Sequence, residues 1–83
     1  MPQLSKQERI ERELSRLLKE RREKLGLSKV VTAQRAGLAV MTVFFVEQQQ
    51  RSPGFNTLLR LASALEVELW KLVRDATTAA GGD

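Results

Sequence analysis

The sequence predicts an all-α fold of five helices, of which the first is long. Three observations support this prediction. Apolar residues recur at helical spacing through most of the chain. Glycine or proline interrupts that spacing at Gly26, at Gly37 and at residues 52–54, which divides the chain into helix-sized segments. The segments on either side of Gly37 also have the lengths of a helix-turn-helix unit, two helices joined by a tight turn.

The first helix is predicted from about Lys6 to Leu25. Ser5-Lys6-Gln7-Glu8 has the spacing of a capping box, in which the Ser5 hydroxyl and the Glu8 carboxylate satisfy free backbone N–H groups. Apolar residues at steps of three, four and seven form one stripe: Ile10, Leu14, Leu17, Leu18 and Leu25. The other face carries the charged run KERREK, which favours a solvated surface. The alternative is phosphate contact by Arg21, Arg22 or Lys24.

The second helix is predicted to begin after Ser28, whose hydroxyl can cap it, and to end at Gly37. Small residues on its inner side allow two helices to approach closely. The predicted core-facing residues are Thr32, Ala33 and Ala36, which leaves Val30 and Val31 on the outer side.

The third helix is predicted over residues 40–48, although the stretch from Leu38 to Gln50 has a strand-like composition when taken alone. The glycine turn before it and the proline and glycine break after it favour a helix. Helical spacing places Leu38, Val43 and Val46 inward. It places Val40, Met41, Phe44 and Gln48 outward, with Phe45 at the edge. An apolar patch on a small domain usually marks a contact surface.

Two further helices are predicted, of which the fifth closes the core. The fourth is outlined by Phe55, Leu58, Leu59, Leu61, Ala62 and Leu65, and a short fifth by Val67, Leu69, Trp70, Leu72 and Val73. Trp70 is expected to cover the first helix, with a dimer contact as the alternative. The predicted organisation is an N-terminal arm at 1–5, one domain at 6–74 and a disordered tail at 75–83.

Composition excludes several classes of function. The 83 residues fit one domain and contain neither cysteine nor histidine, so disulfides, most zinc sites and the commonest catalytic bases are absent. The pairs Glu11/Glu13 and Glu66/Glu68 stand two residues apart, on different faces of a helix. We therefore expect no enzyme, cofactor or metal. No N-terminal apolar segment resembles a signal peptide, and the longest nearly apolar run, from Gly37 to Val46, is far below the roughly 20 residues of a membrane span, which predicts a cytoplasmic protein.

The charge is unevenly distributed along the chain. The net charge is +4, and residues 1–25 and 26–60 each carry an excess of +3 while residues 61–83 carry −2. A basic region that coincides with a helix-turn-helix pattern is compatible with a polyanionic partner.

Three segments follow a known pattern without a gap. The first contains Leu18, Arg22, Gly26, Leu27, Ser28, Ala33, Ala36 and Gly37. The second contains Leu38, Thr42, Val43, Val46, Glu47, Arg51 and Pro53. The third contains Thr57, Leu58, Leu61, Ala62, Ala64, Leu65, Val67, Leu69 and Leu72. On these residues the chain, from Leu17 to Leu72, resembles the Cro/C1-type (lambda-repressor-like, or XRE) helix-turn-helix family.

The resemblance implies a regulator of transcription that binds specific sequences of double-stranded DNA, commonly as a homodimer, with the third helix in the major groove. By position, the base-facing residues are Val40, Met41, Thr42, Phe44, Phe45 and Gln48. The residues expected near phosphates are Lys29, Gln34, Arg35, Gln49, Gln50, Arg51 and Ser52. Such a protein is expected in the cytoplasm with the nucleoid.

The chain departs from the family pattern at several of these positions. Lys29 replaces a glutamine, Ala39 a capping serine, Thr32 a leucine and Gln49 a glycine. The base-facing positions contain no Arg, Asn or Gln before Gln48, so bidentate contacts to guanine or adenine are scarcely provided for. The alternative function is a protein-interaction or self-association module that uses an apolar row on the second and third helices: Val30, Val31, Val40, Met41, Phe44 and Phe45. Glu47 is expected to be a structural carboxylate, hydrogen-bonded inside the domain.

Overall fold

The computed structural model describes residues 3–50 and 52–81, and these residues form five α-helices and no strand. The helices are α1 (Lys6–Lys24), α2 (Lys29–Ala36), α3 (Val40–Glu47), α4 (Phe55–Ala64) and α5 (Leu69–Ala79). The prediction of an all-α fold with a long first helix is confirmed. Met1 and Pro2 of the predicted arm, and Gly82 and Asp83 of the predicted tail, lie outside the described residues.

Local signals set the beginnings of α1 and α2 as predicted. The Ser5 N–H donates to a Glu8 carboxylate oxygen (2.9 Å), and the Glu8 N–H donates to the Ser5 hydroxyl (3.1 Å), so the capping box is complete. The N–H of Val31 donates to the Ser28 hydroxyl (3.0 Å), which caps α2. No side chain caps α3 at Ala39, as expected where alanine replaces serine.

One apolar core joins the helices. α1 packs mainly on α5 and also on α3, while α2 packs on α3 and α4. The predicted inner residues of α2 and α3 are all buried or packed against the core, including Thr32, Ala33, Val43 and Val46. The buried apolar residues are Leu14, Leu18, Ala33, Ala36, Val43, Val46, Leu61, Ala62, Ala64, Leu65, Leu72 and Ala76.

The predicted disordered tail from residue 75 is wrong at residues 75–79, because α5 continues to Ala79. Ala76 is completely buried, and the Arg9 guanidinium of α1 donates to the carbonyl of Ala80 (3.3 Å). Contacts with α1 thus extend α5 beyond its apolar run, where the threonine-rich composition favours a helix only weakly.

Trp70, which was expected to cover α1, is exposed, as are two apolar residues of α4. Trp70 does not cover α1: it is 58% exposed, and its ring lies beneath the cations of Lys71 and Arg74 at 5.6 and 5.3 Å. Phe55 and Leu59 lie on the solvent side of α4, since the core needs only the stripe that contains Leu61, Ala62 and Leu65.

Within residues 3–50 and 52–81, no single helix is long and apolar enough to span a membrane. Only α2 and α3 taken together satisfy that criterion, and they are bent by 114° across their turn.

Candidate nucleic-acid interface

α2 and α3 form the predicted helix-turn-helix unit, with an angle of 114° between them. Gly37 ends α2 in the left-handed conformation (φ 68°, ψ 35°), and the N–H of Leu38 donates back to the carbonyl of Ala33 (2.9 Å). A residue with a Cβ is strained in this conformation, so the glycine allows the sharp change of direction that brings α3 across α2.

An arginine from α4 contacts the end of α2, next to the turn. Nη1 of Arg60 donates to the carbonyl of Ala36 (3.3 Å), and Nε donates to the Asn56 side chain (2.8 Å). A Cβ at Gly37 would lie only 2.9 Å from Arg60 Nη1, so a side chain there would displace the end of the arginine and weaken its bond to Ala36. The sequence contained no signal for this contact beyond the i, i+4 spacing of Asn56 and Arg60.

The inner side of α3 is anchored to α1 by an ion pair. The Arg22 guanidinium donates two hydrogen bonds to the Glu47 carboxylate (2.6 and 3.0 Å) and a third to the carbonyl of Leu27 (2.8 Å). Both side chains are at most 10% exposed. Hydrogen bonding to Glu47 raises the pKa of Arg22 above its ordinary value, despite the opposing effect of burial. Glu47 is therefore bonded inside the domain, as expected.

This pair corrects the interpretation of the charged run in α1 at Arg22, while Lys19, Glu20, Glu23 and Lys24 are exposed as a solvated face requires. Arg22 is buried, so it is neither part of a solvated face nor available to a phosphate. Arg21 also has partners within the chain, since its guanidinium donates to the carbonyls of Leu65 (2.9 Å) and Glu66 (3.1 Å). Lys24 remains exposed at the end of α1.

The six residues expected to face bases divide into two groups. Val40, Met41, Phe44 and Gln48 are exposed on the outer side of α3, with exposures of 40%, 51% and 37% for the three apolar residues. Thr42 and Phe45 are half-buried and line a cleft with the segment 52–54 and Thr57 at the start of α4. The structure therefore places five of the six residues on α3 and Gln48 at its C-terminal end. Thr42 and Phe45 lie at the edge of the exposed face.

The residues of α2 that were expected near phosphates surround this face with charge and amide groups. The ammonium of Lys29 lies 5.8 Å from the centre of the Phe44 ring, a cation–π contact between α2 and α3. Gln34 is exposed. Arg35 is also exposed, and its Nη1 lies 3.6 Å from a carboxylate oxygen of Glu66, a solvent-screened pair.

The other four residues of that group follow α3, and two of them are turned toward α1. The Gln49 amide donates to the carbonyl of Arg12 (3.5 Å), and the Ser52 hydroxyl donates to the Glu11 carboxylate (2.7 Å). Gln50 is exposed, and Arg51 lies outside the described residues. Gln49 has φ 60°, which explains why glycine is usual at this position.

Comparison with protein families identifies this architecture. A family model described as helix-turn-helix matches residues 18–69, which extend from the second half of α1 to the start of α5 and make up more than half of the chain. Comparison with curated proteins and with solved structures gives no match. The match covers the α2–turn–α3 unit, the Arg22–Glu47 pair and the Arg60 contact together. The chain belongs to the Cro/C1-type helix-turn-helix family of DNA-binding domains.

Proposed function

We propose that the protein regulates transcription by binding specific sequences of double-stranded DNA, with α3 in the major groove. The observation that carries this proposal is the exposed outer face of α3. α3 is bent by 114° relative to α2, and its inner face is held by the core and by Glu47. An α-helix presented in this way fits the width of the major groove. Binding to the chromosome would place the protein in the cytoplasm with the nucleoid.

The charges near α3 support a polyanionic ligand. Between residues 29 and 47 the charged residues are Lys29, Arg35 and Glu47, and Glu47 is neutralised by Arg22. Outside that pair the charges of the helix-turn-helix unit are positive: Lys29 is half-buried, and Arg35 is exposed beside Glu66. We propose that Lys29, Gln34 and Arg35 contact phosphates on one side of the groove. The corresponding contacts on the other side would come from Gln49, Gln50, Arg51 and Ser52, after Gln49 and Ser52 leave their partners on α1.

The test is binding to a pool of duplexes of random sequence, with fluorescence anisotropy measured between about 50 and 200 mM salt. Lys29→Gln and Arg35→Gln should each weaken binding to all duplexes and reduce the salt slope by about one. Lys19→Gln is the matched control, because Lys19 is exposed on α1, outside the helix-turn-helix unit. No complex with any duplex at the lowest salt would refute the proposal.

We further propose that the protein binds DNA as a homodimer, which uses the exposed apolar side chains of α5. Trp70 and Val73 are 58% and 40% exposed, and they belong to a different helix from the outer face of α3. Replacing both with serine should produce a monomer in analytical ultracentrifugation and weaken binding to a two-fold symmetric site. If the wild-type protein is monomeric and the two substitutions leave its affinity for such a site unchanged, this proposal is wrong.

A second candidate function is a protein-interaction or self-association module. The apolar row on α2 and α3 favours it, because Val30, Val31, Val40, Met41 and Phe44 are all exposed. Replacing Met41 and Phe44 with serine should then abolish binding of a protein partner or of a second copy. If the two substitutions leave association unchanged and abolish only DNA binding, this candidate is excluded.

A further inference from the structure

The outer face of α3 is unusual for a DNA-reading surface because it is almost entirely apolar. Val40, Met41 and Phe44 are exposed, and Phe45 lies at the edge of the same helix. None of these side chains carries a hydrogen-bond donor, and only the weakly accepting sulfur of Met41 interrupts the hydrocarbon. Two base-facing residues are polar. Thr42 is half-buried, and Gln48 is exposed at the C-terminal end of the helix.

The chemistry of the major groove restricts what such a face can recognise. Base edges in that groove present donors and acceptors, with one apolar group among them, the methyl at C5 of thymine. A hydrocarbon side chain placed over a guanine or cytosine edge removes water from polar groups without replacing their hydrogen bonds, which is unfavourable. Placed over a C5 methyl, the same side chain gains buried apolar area.

The rings on this face make contacts within the domain. Phe44 and Phe45 pack edge to face, with ring centres 6.2 Å apart and an angle of 77° between the planes. The ammonium of Lys29 lies over the Phe44 ring. These contacts favour one arrangement of the rings, which reduces the entropy lost when they meet a complementary surface.

Charge favours a nucleic acid over a second copy of the chain at this position. The charges of α2 that flank the face, the half-buried Lys29 and the exposed Arg35, are both positive, so two copies that met face to face would bring like charges together. A duplex instead presents phosphates on both sides of a groove that contains the methyl groups.

We infer that the outer face of α3 recognises the C5 methyl groups of pyrimidines in the major groove, those of thymine or of 5-methylcytosine. This inference rests on the proposed function, since it specifies the feature of duplex DNA that α3 reads. Val40, Met41 and Phe44 supply the contacts, and specificity arises as much from the exclusion of polar base edges as from attraction to the methyls.

The experiment uses the preferred duplex, selected from a random pool, and a series of chemically altered copies. Replacing thymine with deoxyuridine removes the methyl and leaves the base pairing and the phosphates unchanged. Each such replacement under α3 should weaken binding by about three- to fivefold, as expected for the loss of one buried methyl. Replacing purines with their 7-deaza analogues, which removes an acceptor but no methyl, should change the affinity by less than about twofold if hydrogen bonds to that acceptor are absent.

A further arm distinguishes the two sources of the methyl. Replacing a sensitive thymine·adenine pair with cytosine·guanine should weaken binding, and 5-methylcytosine at the same position should restore part of the loss. Restoration indicates recognition of the methyl itself. If 5-methylcytosine restores nothing, recognition depends on the whole thymine edge, and the inference is wrong as stated.

A matched pair of variants connects the effect to α3. Met41→Ser should bind more weakly, and its affinity should respond less to deoxyuridine than that of the wild type. Leu59→Ser replaces a similarly exposed apolar residue on α4 and should retain the full deoxyuridine effect. If duplexes bind specifically but deoxyuridine has no effect anywhere, the inference fails while DNA binding stands. If no duplex binds, the proposed function and the inference fail together.

Discussion

Arg22 and Glu47 form a two-pronged ion pair that joins α1 to the C-terminal end of α3, with nitrogen–oxygen distances of 2.6 and 3.0 Å. The two residues are 25 positions apart in the sequence and are almost completely shielded from solvent. Removing one partner leaves a buried charge without its counter-charge, which typically costs about 3–5 kcal/mol. That is a large share of the stability of a small domain.

We therefore expect Arg22→Met and Glu47→Leu each to lower the free energy of unfolding by about 3–5 kcal/mol. The double variant should lose less free energy of unfolding than the sum of the two single losses, because no unpaired charge remains. Urea denaturation of the four proteins provides the cycle. If a single variant does not fold and the double variant does, the losses are not additive, which also supports the link. Additive losses would contradict an energetic link between the two residues.

Thr32 has a buried hydroxyl that makes no hydrogen bond within the described residues, and its side chain is among those most completely buried. Thr32→Val replaces that hydroxyl with a methyl of similar size, so it should raise the free energy of unfolding by about 1 kcal/mol. Thr42→Val, at a half-buried position of α3, is the control and should change stability by less than about 0.5 kcal/mol. A loss of stability in Thr32→Val would show that the hydroxyl has a partner such as water.

Gln49 adopts φ 60°, a conformation that costs a residue with a Cβ about 1–2 kcal/mol. Glycine avoids this strain but loses more backbone entropy on folding, about 0.5–1 kcal/mol. Gln49→Gly should therefore stabilise the domain by roughly 0.5–1 kcal/mol, measured by thermal or urea denaturation. Gln50→Gly, at a neighbouring residue without positive φ, should instead be destabilising. Equal effects at both positions would contradict the role of the conformation.

Glu8 makes the stability of the domain depend on pH. The hydrogen bond from the Ser5 backbone is the main cause that lowers the pKa of Glu8, and the bond with the Ser5 hydroxyl lowers it further. The carboxylate thus stabilises the fold above the pKa of an unfolded glutamate, about 4.3, and this contribution is lost as the pH falls through the lower folded-state pKa. Glu8→Gln keeps an acceptor but has no charge. The difference in Tm between wild type and variant should be present at neutral pH and vanish at strongly acidic pH. A difference independent of pH would contradict this prediction.

The fold could be predicted because its boundaries depend on local chemistry. Ser5 with Glu8, Ser28 and Gly37 act within a few residues of their own positions, and each ends or begins a helix where the sequence indicated. The phase of α3 was equally accessible, since Val43 and Val46 had to face the core if the helix formed at all.

The errors concern contacts between residues that are distant in the sequence. Arg22 looked like one member of a charged run, because nothing nearby indicates that Glu47 reaches it from α3. Trp70 was expected to be buried, although Leu72 and Ala76 already fill the space that α5 leaves against its neighbours. The extension of α5 depends on α1, whose packing overrides the weak helix propensity of the threonines. At the candidate site, the sequence supplied the residues of α3 but not the contact from Arg60 that orients the turn before it.

The bend between α2 and α3 depends on the left-handed conformation of Gly37, and the two helices pack on each other across it. We therefore expect them to move together. If the protein engages a duplex as proposed, conformational adaptation must then come from the nucleic acid, through groove width and bending, and flexible base steps next to the contacted pairs would strengthen binding without being touched.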